Sequence, residues 1–325
     1  MHSFWQELKK PFFVMAPMAD VTDAAFRALV AARGAPDVFW TEFVSADGLY
    51  HTREIQKMPD DENPLMRDLI KGEGQRPIIA QIFSSKPEMI AYAVKLVAEL
   101  GFDGVDLNMG CPDRSIEKQG CGSAMIKTPE VARAVIRAAK SASSLPVSVK
   151  TRVGYNKESL DEWLPVLLEE SPAAITLHLR TRKEMSLVPA NWELMKKAVE
   201  IRNRVNPDVL LIGNGDVESI EQGTRLIEEN GCEGAMIGRG MFGNPWVFAG
   251  RKSEDTPLAE KLAALIELAH GFEQLSPPKN FAVLKKHIKA FATGFDGAAH
   301  LRTQLMEAES AGALEAIIAQ HNAGE

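Results

Sequence analysis

From residue 12 to about residue 239 the chain alternates short β-branched or apolar runs with longer segments of helical period, the signature of repeated βα units. Eight such runs occur, at residues 12–16, 38–42, 78–82, 104–108, 147–151, 174–178, 209–213 and 234–238. The helix candidates between them have recognisable ends. The one at 22–33 stops at Gly34, the one at 87–100 opens on Pro87 and stops at Gly101, and the one at 129–142 is begun by Thr128. Further helices are predicted at 159–170, 192–204 and 218–230. Eight parallel strands with intervening helices close most naturally into a (β/α)₈ barrel, although an open doubly wound sheet alternates in the same way. Beyond Arg251 the strand pattern stops. From Pro257 onward only helical period remains, broken at Ser276-Pro277-Pro278 and at Gly294-Phe295-Asp296-Gly297. The predicted organisation is a barrel over residues 1–250 and a small all-helical domain over residues 257–325.

Composition adds exclusions to this outline. A hydrophobic fraction of 45% with 25% charged residues is that of an ordinary globular protein with a sizeable core. No long apolar run and no basic leader appear, so the expectation is a cytoplasmic protein with no membrane span. Cys111, Cys121 and Cys232 are too few and too widely spaced for a Cys₄ metal site, and their odd number suits a reducing compartment. A monomer without metal is expected. The net charge of −7 sets a condition on any nucleic-acid partner, because phosphate binding then needs a local basic patch.

In a (β/α)₈ barrel the chemistry sits where the strands finish, and here those ends are polar. The glycine loops Gly213-Asn214-Gly215 and Gly238-Arg239-Gly240 follow strands seven and eight, the usual phosphate position of this fold, and Arg239 offers a charge partner. Tight βα turns are the plainer account of either loop taken alone. Lys150 interrupts the apolar strand PVSVKTRV. It is either a lysine whose stem is covered while its ammonium reaches water, or a cation beside an electron-rich ring such as a reduced flavin. Gln81 can hydrogen-bond the same ring or be a satisfied core amide, and His178 closes the strand-six run. Cys111, in a Gly-Cys-Pro turn just past strand four, is either a packing residue or a thiol able to donate a proton. Asn108 three residues earlier can hold the edge of a flat ring, and the pair suits a pyrimidine.

The segments APMADVTDAAFR, TEF, QIFSSKPE, DGVDLNMGCPDRSIEKQGCGSAMIKTP, VKTR, HLRTR, IGNGDV and MIGRGMFGNPWVF, in this order, resemble the tRNA-dihydrouridine synthase family over nearly the whole chain. The resemblance implies FMN as prosthetic group, NADPH as reductant and a helical C-terminal domain that grips tRNA. It implies that Pro17 and Met18 lie beside the flavin, that Gln81, Lys150 and His178 contact its ring, and that Asn214, Gly215, Asp216, Gly238 and Arg239 hold the ribityl phosphate end. Cys111 would be the general acid, Asn108 would orient the uracil, and Arg180 would lie near the substrate. The implied reaction reduces the C5–C6 bond of a tRNA uridine, with hydride from flavin N5 to C6 and a proton from Cys111 to C5. Lys279, Lys285, Lys286, His287, Lys289 and Arg302 are the candidate phosphate partners, or else a solvated helix face.

The chain departs from the family pattern at Leu179, Glu184, Ser186 and Val188, where the family often has Gly, Gln, Tyr and Gly. Two other readings compete. A flavin barrel acting on a free pyrimidine has no use for the helical extension, and a tRNA-binding protein without catalysis has none for Cys111 and Lys150.

Overall fold

The computed structural model describes residues 3–323, so the outermost two residues at either end of the predicted domain ranges lie outside the described residues. Eight strands run parallel: β1 (Phe12–Met15), β2 (Phe39–Ser45), β3 (Ile78–Phe83), β4 (Gly104–Met109), β5 (Val147–Arg152), β6 (Ala174–His178), β7 (Leu210–Asn214) and β8 (Gly234–Ile237). Their order, β1-β8-β7-β6-β5-β4-β3-β2, leaves β1 and β2 to meet. They do so through a parallel bridge between Val14 and Val38, where the Asp37 N–H donates to Phe13 O at 2.8 Å and the Met15 N–H to Val38 O at 3.0 Å. The sheet is thus a closed (β/α)₈ barrel rather than an open doubly wound sheet.

Each predicted run is a strand, and only β2 differs by more than a residue at either end, continuing past Glu42 to Ser45. Its register against β3 shifts between Trp40 and Phe43, which absorbs the polar pair Thr41-Glu42. Helices fill the crossovers where their end signals placed them. Asp23 caps Ala24–Arg33 by accepting from the Phe26 N–H at 3.0 Å, and prolines occupy the first turn of Pro87–Glu99 and Pro129–Ala142. The segment between β2 and β3 holds helices that the sequence pattern did not suggest: Ala46–Tyr50, the wider turn His51–Ile55, and Pro64–Arg67. Each is too short to display a period.

After β8 the described chain is helical, with Leu258–Glu273, Lys285–Phe291, Ala298–Leu305 and Ala311–Ala323 as its longer pieces. Leu258–Glu273 packs against Ala24–Arg33, and Arg33 holds Glu267 through two bonds of 3.1 and 2.6 Å. Leu265, Leu268, Phe272, Ile288 and Phe291 join the same continuous apolar core as the shell between barrel and helices. Two of the expected phosphate partners are drawn into that contact. Lys279 is buried, with its ammonium 2.5 Å from Glu42 and 3.5 Å from Asp68. His287 is 2% exposed, donates to Val21 O at 3.2 Å, and lies 4.6 Å from the Phe26 ring. Neither can meet a phosphate. Both side chains instead serve the joint between the helices and the barrel, Lys279 as a cation and His287 as a hydrogen-bond donor.

Burial pushes the His287 imidazole down to about 4. The unfolded group titrates near its ordinary value of about 6.5, so between those values the unfolded chain binds more protons and stability falls as pH drops. The expected slope is at most about 1.4 kcal/mol per pH unit within that window. Thermal unfolding of His287→Phe from pH 7 to 4 should show a shallower acid loss than wild type. Parallel curves would assign the acid sensitivity to other groups.

Candidate active site

Side chains alternate along the strands, so Val105, Leu107, Val147 and Val149 pack outward against the helices while Asp106, Asn108, Ser148 and Lys150 face the barrel axis. The axis changes character from one end to the other. Near the strand starts it is filled by Trp5, Phe12, Val14, Trp40, Ile79, Ala174, Ile212 and Met236. Toward the strand ends the inward positions become polar, which places chemically capable groups such as Asp106, Asn108 and Lys150 toward the C-terminal mouth.

The middle layer is a connected hydrogen-bond chain. Asp106, fully buried on β4, accepts from Ser148 Oγ and from Gln81 Nε2, each at 2.6 Å. Burial raises its carboxyl to about 6, opposed by those two donors and the nearby Lys150 charge. Gln81 Oε1 accepts from Asn108 Nδ2 at 3.0 Å. Asn108 Oδ1 in turn accepts the N–H groups of Gly110 and Cys111, at 3.2 and 2.9 Å. Each amide is therefore largely committed within the protein, and Asn108 gives its carbonyl to the turn that carries Cys111 while one of its amide N–H groups stays unassigned. Asp106 was missed in the sequence, although a charge inside an apolar strand was the signal that singled out Lys150.

That turn is held from three directions. Arg152 Nε donates to Gly110 O at 2.9 Å, and Cys111 O accepts from the Ser123 N–H at 2.9 Å and from Ser123 Oγ at 3.0 Å. Gly122 has φ +60°, and a Cβ there would lie 2.6 Å from Cys111 O. Cys111 is half-buried, and burial pushes its thiol above the ordinary value, with Arg152 and Lys150 opposing. It stays protonated at neutral pH. Cys121 and Cys232 are buried. Arg152 is a second residue that the sequence reading did not assign. Its Nη1 also donates to Thr181 O at 3.0 Å and Met185 O at 2.9 Å, so one buried guanidinium joins the Cys111 turn to the loop after β6.

Above this layer opens a cleft of about 830 Å³ lined by Pro17, Met18, Lys150, His178, Arg180, Asn214, Gly215, Asp216, Gly238 and Arg239. Ten of the residues singled out in the sequence thus share one cavity, while Gln81, Asn108 and Cys111 lie outside its lining. Lys150 Nζ donates to Asn214 Oδ1 at 3.1 Å, and Asn214 Nδ2 to Met236 O at 2.9 Å. Burial, then the Arg152 charge, lowers the Lys150 ammonium to about 8. It remains mostly charged at pH 7. Burial and the surrounding Lys150, Arg152, Arg180 and Arg239 push His178 well below its ordinary value. Its neutral ring lies 3.1 Å from Arg180 Nη1. Asp216 accepts from Arg180 Nη2, from the Ala190 N–H at 2.8 Å and from Arg239 Nη2 at 2.5 Å. Burial opposes its charge, but these donors hold the carboxyl below the usual range.

The glycines divide by cause. A Cβ at Gly213 would meet the Trp192 ring at 2.3 Å, and Gly215, at φ +129°, would meet Ala190 at 2.6 Å. Packing explains both. At Gly238 the nearest protein atoms would be 3.5 Å away, so crowding by the protein does not account for the missing side chain, and the bare backbone faces the cleft.

Comparison with known proteins gives concordant results. The family model described as Dihydrouridine synthase (Dus) matches residues 14–323. A Bacillus subtilis (strain 168) protein named "Probable tRNA-dihydrouridine synthase 2" is 41% identical over 320 residues, covering 97% of this chain and 95% of its own. A Staphylococcus aureus (strain COL) "Probable tRNA-dihydrouridine synthase" is 39% identical over 324 residues, covering 99% and 96%. Among solved structures, a histamine dehydrogenase from Rhizobium sp. 4-9 superposes with a TM-score of 0.52 at 12% identity. A 2-naphthoyl-CoA reductase complex gives 0.55 at 9%. These cover 81% and 75% of this chain but only 49% and 50% of the other chains, and at such identity they speak to the barrel alone.

Proposed function

The chain belongs to the dihydrouridine synthase family, and on that premise we propose that it is an FMN- and NADPH-dependent reductase of uridine in tRNA. The observation that carries the reading is the cleft itself, where a half-buried cation at Lys150 and an open glycine backbone at Gly238 share one cavity at the strand ends. A flavin mononucleotide fits this donor set. Lys150 would face the ring, where negative charge gathers on reduction, with Pro17, Met18 and neutral His178 beside it. Gly238, Asn214 and Arg239 would hold the phosphate end. Asp216 acts there by orienting Arg239, since a carboxylate has no attraction for phosphate. When bound, such a flavin would supply the hydride that C6 of the uracil receives.

The chain's own part is to position and protonate. The Cys111 thiol donates the proton to C5, on a turn fixed by Asn108, Arg152 and Ser123. Asn108 retains one amide N–H for the uracil edge, and Arg180 stands near the same edge. In this proposal residues 1–250 carry the flavin and residues 257–325 contribute tRNA contacts, with Lys285, Lys286, Lys289 and Arg302 as the remaining phosphate candidates. The continuous apolar core argues for testing these contacts by substitution, because removing the helices would uncover Phe272 and Ile288 partners on the barrel.

Purified protein should be yellow, release FMN on denaturation, and with NADPH convert uridine in unmodified tRNA to a product heavier by two hydrogens. A colourless protein that also fails to bind added FMN would defeat the reading. Gly238→Val should lose FMN with little change in unfolding temperature, because its new methyl groups project into the cleft. Undiminished FMN content in that variant would move the phosphate elsewhere.

A further inference from the structure

The loop after β6 exposes a run of apolar side chains at the rim of the cleft. Met185 is 38% exposed, Leu187 84% and Val188 41%, and Ser186 and Pro189 between and beyond them are exposed as well. Single exposed apolar residues are ordinary. Four within five consecutive positions, in a segment that is firmly held, are not. Arg152 Nη1 grips Met185 O at 2.9 Å and Arg180 Nε grips Val188 O at 2.5 Å. Glu184 accepts from the Thr181 N–H at 2.7 Å, and the Leu187 N–H returns to Glu184 O at 2.9 Å. Met185 has φ +55°, a left-handed conformation that side chains rarely adopt. Two buried arginines and a strained residue thus hold Leu187 out in solvent.

The surroundings identify the occupant. On one flank Ser186 lines the cleft. On the other, the Lys183 N–H donates to Tyr155 O at 2.9 Å, and the Tyr155 ring carries Lys127 Nζ at 4.2 Å and the Arg182 guanidinium at 5.5 Å. Lys127 and Lys183 are exposed. An apolar tip between the cleft and a patch where exposed Lys127 and Lys183 flank Tyr155 matches an RNA strand, with bases against the tip and phosphates against the lysines.

We propose that the 185–189 loop is a wedge for RNA, with Leu187 and Val188 packing against the nucleobases that flank the uridine entering the cleft. This rests on the reading of the cleft as the flavin site at whose mouth a tRNA uridine is reduced. A nucleotide turned out of its stack leaves apolar base faces exposed to water, and a rigid apolar side chain placed in the gap covers them. Rigidity matters, because a mobile loop would lose in ordering what it gained in contact.

The test uses FMN-loaded Leu187→Ser and Leu187→Met. The tRNA transcript carries 2-aminopurine next to the uridine that wild type reduces. Leu187→Ser should keep its flavin and its rate of reduction by NADPH without tRNA. Its kcat/KM on tRNA should fall about tenfold or more, as loss of one buried leucine predicts. The fluorescence rise on binding, which reports unstacking, should shrink with it, and Leu187→Met should restore both. A kcat/KM within about threefold of wild type, or an undiminished fluorescence rise, overturns the wedge. The first of these is the result expected if the loop docks another protein instead. Wild type that forms no dihydrouridine overturns the underlying functional reading, which separates the two failures.

Discussion

Cys111→Ala should bind FMN and accept electrons from NADPH near the wild-type rate, yet lose about 10²–10⁴-fold in reducing uridine, the usual worth of a general acid. The selectivity follows from position. Cys111 lies outside the lining of the cleft proposed for the flavin, and its turn is pinned through backbone atoms, by Asn108, Arg152 and Ser123. Removing the thiol leaves every one of those bonds in place. Burial holds the group as a thiol at neutral pH, so the donor is in the correct protonation state before any substrate arrives. Cys121 is the matched control, since it packs between Phe83 and Ile116, and its alanine variant should affect stability more than the product step. Mixing chemically reduced holoenzyme with unmodified tRNA isolates the step in question. Should Cys111→Ala reoxidise on tRNA as fast as wild type, the proton comes from water or another group.

What could be read in advance, and what could not, divides along a physical line. The barrel was legible because each β run carries its own apolar signal and several helices carry a local start signal, as at Pro87 and Pro129. Ten cleft residues were legible because a parallel barrel brings all strand ends to one face whatever the details of packing. The pairing of polar groups was hidden. Gln81 and Asn108 read as ligands for a ring, whereas the structure spends most of their hydrogen-bonding capacity on Asp106, each other and the Cys111 turn. Gly213 and Gly215 read as a phosphate cradle, and Trp192 and Ala190 are what require them. The errors at Lys279 and His287 have the same source. Both partners, Glu42 and Val21, lie more than 200 residues earlier, and no local pattern reports a contact across that span.

Lys279→Met should cost about 3–5 kcal/mol of stability, the usual effect of removing one partner of a buried ion pair. The side chains of Lys279 and Glu42 are 6% and 5% exposed. Asp23 and Asp68 add negative charge to the same pocket, with buried Arg27 the other cation close by. Burial, joined by the Asp68 and Asp23 charges, raises the Glu42 carboxyl, and Lys279 is the influence that lowers it. Without the lysine the folded protein would hold Glu42 protonated over a wider range of pH. A carboxyl whose folded pKa is raised loses stability as pH climbs through and beyond its unfolded value. The deficit of Lys279→Met should therefore be smallest near pH 4 and grow toward neutrality, whereas a deficit caused only by lost packing would be flat. Glu42→Gln combined with Lys279→Met should recover part of the loss, since a neutral pair leaves no orphaned charge. The same contact reaches the cleft. Glu42 also accepts the N–H of Asp20, two residues from Met18, so the single variant should loosen FMN as well as the fold. Chemical denaturation of the two variants across pH 4 to 8, with FMN content followed in parallel, checks each step. A pH-independent deficit that the double variant does not relieve would reduce Lys279 to a packing residue.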